Sequence, residues 1–172
     1  ESNTTASNNT VVGYQALQVN TTGTENAGLG AYVLRANTTG QRNTAIGFKA
    51  LEDTTGDMNT AVGAYALPEN SSGDNNTAVG RNALRFSTTA SNNTAIGHQA
   101  LDQNTTGGEN TSVGAEALEA NTTGQQNCAF GFRALEANTT ADHNTALGHE
   151  SLKVNTTGTE NVAVGANALD AG

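Results

Sequence analysis

One unit of 17 residues, written ten times, limits what this chain can fold into more than any other feature. It reads N-T-A-[VI]-G-x-x-A-L-x-x-N-T-T-G-x-x, and residues 93–109 give it almost unchanged. The glycine closing each N-T-A-V-G falls at 13, 30, 47, 63, 80, 97, 114, 131, 148 and 165. Every step is 17 residues except the one from Gly47 to Gly63, which is 16. A fixed period of this size is the mark of a solenoid, in which each repeat contacts only its neighbours. The short step lacks the usual N-T-T asparagine, and Asp53 is expected near that site, shortening the turn before it.

A helical solenoid does not fit. Each unit carries two turn signals, one glycine after N-T-A-V and a second after N-T-T, and the segments between them are too short for helices. Thr, Val and Ile favour strands, and Asn-Thr-Thr-Gly is poor helix material. The expected fold is all-β: a parallel β-solenoid of ten 17-residue coils, with residues 1–172 as a single repeat domain. There is no linker, composition shift or charge block. At a strand spacing of roughly 4.8 Å, ten coils make a rod of about 48 Å.

Stacking turns fixed positions into ladders. The asparagines that open the units, among them Asn43, Asn59, Asn76, Asn93 and Asn110, are expected to form an amide ladder between coils. The leucines four residues after the glycine, among them Leu51, Leu67, Leu84, Leu101 and Leu118, form an apolar ladder, and the Val/Ile row before the glycine forms a second. The closing glycines are expected at bends that need positive φ or close backbone approach. Two alanine rows are almost as regular, one including Ala61 and Ala78, the other Ala66 and Ala83. Alternation along a strand sets Ala61 opposite Val62 and Ala66 opposite Leu67. The alanines therefore belong either to a subunit interface, where small side chains allow close approach, or to tight corners of a lone solenoid.

The N-T-T asparagines Asn20, Asn37, Asn104, Asn121, Asn138 and Asn155 head glycosylation sequons, as do Asn3 and Asn70. They read either as glycan acceptors or as turn residues whose side chains satisfy nearby backbone groups. The Thr pairs that follow, such as Thr105-Thr106 and Thr122-Thr123, read either as a hydroxyl array able to order water or bind ice, or as a hydrogen-bonded strand face. His98, His143 and His149 have no cysteine or fixed carboxylate around them and read as surface histidines. No nucleophile triad or carboxylate pair recurs, so no catalytic, cofactor-binding or metal residue is expected, and the chain reads as a non-enzyme. One cysteine, Cys128, makes no disulfide framework.

A net charge of −9 argues against nucleic acid, whose phosphates demand a basic face. No apolar run is long enough to insert in a membrane as a helix. Polar capping units are absent at both ends, and the chain reads as a fragment of a longer fibrous protein.

The N-T-A-[VI]-G core of residues 93–97 and its nine counterparts resemble the head repeats of trimeric autotransporter adhesins of the YadA type. The whole array is still more similar to N-T-A-[VI]-G-x-x-A-L-x-x-N-T-T-G repeats in tail-fibre-like surface proteins of bacteria and phages. The units here are longer than in the adhesin heads and carry Thr where those have an apolar residue. The resemblance implies a left-handed β-roll and a homotrimeric rod. It also implies an extracellular, cell-surface or virion location, with host matrix, surface or glycan as ligand. The expected function is a structural and adhesive segment of a fibre, adhesin head or tail-fibre shaft. The alternatives are a self-assembling, glycosylated filament and an ice- or glycan-binding solenoid that uses its Thr rows.

Overall fold

The computed structural model describes residues 5–170. Ten three-residue strands follow one another: β1 (Thr10–Val12), β2 (Ala27–Leu29), β3 (Thr44–Ile46), β4 (Thr60–Val62), β5 (Thr77–Val79), β6 (Thr94–Ile96), β7 (Thr111–Val113), β8 (Cys128–Phe130), β9 (Thr145–Leu147) and β10 (Val162–Val164). They form a single sheet in sequence order. Every neighbour is parallel, and equivalent residues pair, as Thr77 does with Thr94 and Val79 with Ile96. The protein is an all-β solenoid, with no helix among the described residues. No helix there is long and apolar enough to cross a membrane.

β-Branched residues hold each short strand extended. The closing glycine ends it, with φ between 127° and 154° in all ten copies. A side chain is excluded there for a second reason. A Cβ on Gly63 would sit 2.6 Å from the carbonyl oxygen of Gly80 in the next coil. Beyond the glycine the chain continues through left-handed residues, at 99, 101 and 109 in the sixth coil. These corners turn backbone groups both ways along the axis. Leu101 N–H donates forward to Ala117 O at 3.1 Å, whereas Gln99 N–H donates back to Arg81 O at 3.0 Å. The irregular sides of the coil are therefore laddered as well as the strands.

The interior differs from the expected one. Ala45, Ala61, Ala78, Ala95, Ala129 and Ala146 are fully buried, and the residues before the glycine face out. Val12, Leu29, Ile46, Ile96, Phe130, Leu147 and Val164 are 39–67% exposed, and Val62, Val79 and Val113 are half-buried. The cause is parity. The opening asparagine is buried, so the residue two places on shares its face and the two between and beyond point outward. Both alanine rows thus line the coil and neither is an interface; the row of Ala66 sits at a tight corner, between left-handed Tyr65 and Leu67.

Parity fails after the glycine. Ala66 and Leu67 are adjacent and both fully buried. Tyr65 and Leu67 have φ of 56° and 48°, so this stretch is not extended and alternation does not apply. The leucine row, including Leu51, Leu67, Leu84, Leu101 and Leu118, fills the core against both alanine rows. Left-handed backbone costs an L-residue roughly 1–2 kcal/mol, about what burying a leucine side chain contributes. The short coil is also rearranged. Thr54 takes the buried asparagine place, its Oγ1 accepting from Asn70 Nδ2 at 3.3 Å, while Asp53 is exposed. The missing residue is one of the outer threonine pair.

Gly63→Ala combines a φ of 134° with the blocked approach to Gly80. We expect it to lower stability by on the order of 2–3 kcal/mol, read as a fall in the thermal midpoint by circular dichroism. A midpoint within a degree of the native chain would contradict this account.

Candidate functional site: an asparagine clamp and an exposed sheet face

Two asparagine rows run inside the coil on either side of the second glycine. Asn43, Asn59, Asn76, Asn93 and Asn110 are at most 1% exposed, and so are Asn37, Asn70, Asn104, Asn121 and Asn138. The opening row is expected to bond copy to copy, but its main partners are backbone groups. Asn93 Oδ1 accepts from the backbone N–H of Asn110 at 2.9 Å, and Asn93 Nδ2 donates to Gly107 O at 3.0 Å. Asn104, from the second row, donates to that same Gly107 oxygen at 2.9 Å. Direct amide contacts between copies are 3.1–3.2 Å in the first row, as in Asn127 Nδ2 to Asn110 Oδ1 at 3.2 Å. In the second row they reach 2.8 Å, from Asn121 to Asn104.

This geometry bears on the sequons. Asn20, Asn37, Asn104, Asn121 and Asn138 are buried with Nδ2 already donating to a backbone oxygen. A folded coil leaves no room there for a glycan. Asn155 is half-buried, and its Nδ2 donates to Gly158 O at 2.9 Å. Asn3 lies outside the described residues. In the Thr pairs that begin at 21, 88, 105, 122 and 139, the first hydroxyl is engaged. Thr105 Oγ1 donates to Thr122 O at 3.0 Å and Thr122 Oγ1 to Thr139 O at 3.0 Å. The second members, Thr106, Thr123 and Thr140, are exposed.

The outward strand positions make a flat face in two ranks. One holds Thr10, Thr44, Thr60, Thr77, Thr94, Thr111 and Thr145, with Ala27, Cys128 and Val162 in the same row; the other is the Val/Ile rank. Alongside, Tyr14, Tyr32, Phe48 and Tyr65 meet edge to face, with centroids 5.3–5.8 Å apart. A shallow groove lies where Ala27 replaces the usual Thr, bordered by Val12, Leu29 and Ile46.

Charge gathers on another side. Glu52 is buried and held by Arg35 and Lys49, each at 3.0 Å. Carboxylate oxygens of Glu116, Glu119 and Glu136 lie within 4.8 Å of one another, a grouping that could hold a cation. Arg133 sits 2.6 Å from Glu116, and Lys153 4.0 Å from Glu136. Burial, then repulsion by Glu116, raises the Glu119 carboxyl above its ordinary range. The sequence hides this cluster because residues 116, 119 and 136 become neighbours only through the coil period. His98, His143 and His149 are exposed, and His149 stacks on Phe132. Comparison with protein-family models, curated proteins and solved structures finds no match to the chain.

Two substitutions test the interior. Ser87 replaces the second-row asparagine in its coil, its Oγ is buried without a partner, and Ala90 O receives only Asn76. Ser87→Asn supplies the absent Nδ2 donor and should stabilise by about 1 kcal/mol, seen in chemical denaturation; destabilisation would contradict the clamp. Asp102 is buried with one oxygen unpartnered, and the other accepts from Gln103 at 2.6 Å. Burial raises its pKa, while Gln103, Arg85 and His98 act in the opposite sense. The folded state therefore binds this proton more tightly than the unfolded chain. Stability is lost as pH rises from the unfolded value through the raised one. Asp102→Asn should raise the thermal midpoint at pH 7 and reduce that pH dependence. An unchanged pH profile would show that the buried carboxyl is not its source.

Proposed function

We propose that this chain is a rigid spacer: a structural segment of a multi-chain extracellular fibre, as in an adhesin head or tail-fibre shaft, holding a binding surface away from its base. One observation carries the reading. The residues common to nearly all copies are those that join coil to coil, namely two asparagine rows, the leucine row, the alanine rows and the closing glycine. Outside the recurring Thr and Val/Ile rows the surface varies from copy to copy, while the scaffold does not. A homotrimer, an extracellular location and a host-surface or glycan ligand belong to this proposal.

In a spacer, coils are interchangeable. Excising residues 93–109, or residues 110–126, should shorten the rod by one rise of about 4.8 Å in small-angle scattering. The circular dichroism of the remaining ladder should be retained in both cases. Loss of the fold, or unequal shortening, on removing one coil and not the other would defeat the idea of equivalent coils. The second reading, ice or glycan binding through the Thr rows, is favoured by the exposed outer threonines Thr106, Thr123 and Thr140. Thermal hysteresis that is present in the native chain and lost in Thr106→Tyr/Thr123→Tyr would select it.

A further inference from the structure

The ionisable groups are distributed unevenly around the coil. Three adjacent rows form one side: the Thr row and the Val/Ile row of the strands, and the residues just after the closing glycine. In that last row stand Tyr14, Phe48, Arg81, His98, Phe132 and His149, with alanines between them. Among the described residues, no aspartate or glutamate occupies any of these three rows, and Arg81 is their one lysine or arginine. The chain carries 16 acidic residues against 7 basic ones, a net charge of −9.

We infer that this side is where a second copy of the chain packs. Two rods of net charge −9 repel one another through any face that carries acids, and this face carries none. The face is also the apolar one. Its central rank is 39–67% exposed at seven of ten coils, with bulky side chains from Val12 to Val164. Ten rungs at about 4.8 Å and a width of five residues at about 3.3 Å each give the face an area of roughly 800 Å², which is what each partner gives to a stable interface. An exposed apolar stripe of this length on a soluble surface marks an interaction site. The occupant must be flat and uncharged, and must repeat at the same rise to seat against every rung. A second copy meets all three requirements, and β-sheets pack face to face through such side chains. The inference rests on the multi-chain fibre reading and names the face that reading requires.

The test is the molar mass by light scattering of the native chain and of Val79→Lys/Ile96→Lys, with circular dichroism on both. These side chains point out of the coil, so the ladder is expected to be retained. Thr106→Lys/Thr123→Lys, placed outside the face, is the control. The expected result is a native mass that is a multiple of 17.4 kDa, unchanged in the control and falling to the single-chain value in the face variant. Thiol labelling adds a second readout: Cys128 lies on the same face and should react faster in the face variant than in the native assembly. A native chain that is monomeric at ~100 µM, far above the dissociation constants typical of interfaces this size, would overturn the inference. So would an assembly indifferent to the face variant, or one lost equally in the control. The rod itself is judged separately by its length in scattering: a monomer of full length removes the interface and the multi-chain part of the fibre reading, but leaves a single-chain spacer.

Discussion

The structure depends on one carbonyl that two asparagines share in all but two of its turns, those at Gly56 and Ala90. Gly107 O receives Asn93 and Asn104, Gly124 O receives Asn110 and Asn121, and Ala141 O receives Asn127 and Asn138. Buried amides are costly unless every group is paired. Here the amides pair with the backbone, and through Oδ1 they reach the next coil's N–H. The clamp therefore closes the turn within a coil and sets the height between coils. It also explains how a chain with only 35% hydrophobic residues folds at all. Much of its interior is a satisfied polar network, which specifies a single register.

The narrow core follows from that clamp. With amides occupying one side, the space left admits one leucine and two alanines per coil. Larger aliphatic residues are displaced to the outside of the strands, where they make the exposed rank. In a globular protein valine is among the residues most often fully buried. This solenoid does the opposite because its cross-section is set by hydrogen bonds before it is filled.

The repeat made the architecture legible: period, strand type, parallel stacking and the sharp glycine bend all follow from positions that recur. The facing of side chains was harder to read. Choosing the interior by hydrophobicity put Val62 inside and left Ala61 for the surface, whereas parity with buried Asn59 gives the reverse. The sequence held that information, but it required treating the asparagine as an interior residue first. The paired burial of Ala66 and Leu67 was not available from alternation, because left-handed backbone at Tyr65 and Leu67 carries no composition signal. Nor was Thr54 in the asparagine place of the short coil, where the spacing pointed to Asp53. The acidic group of Glu116, Glu119 and Glu136 was hidden because it joins two rows across a coil boundary.

The bonds between coils run along the rod, and this decides how it responds to tension. Bending or twisting the shaft strains many rungs together, so it is stiff. A pull on the chain end is different, because the load falls on the outermost coil alone and opens its bonds one after another. Each coil that peels away frees 17 residues, roughly 55–60 Å of extended chain, and exposes an identical rung beneath. A shaft built this way gives way in equal steps from its end, shedding load while the remaining coils keep their shape.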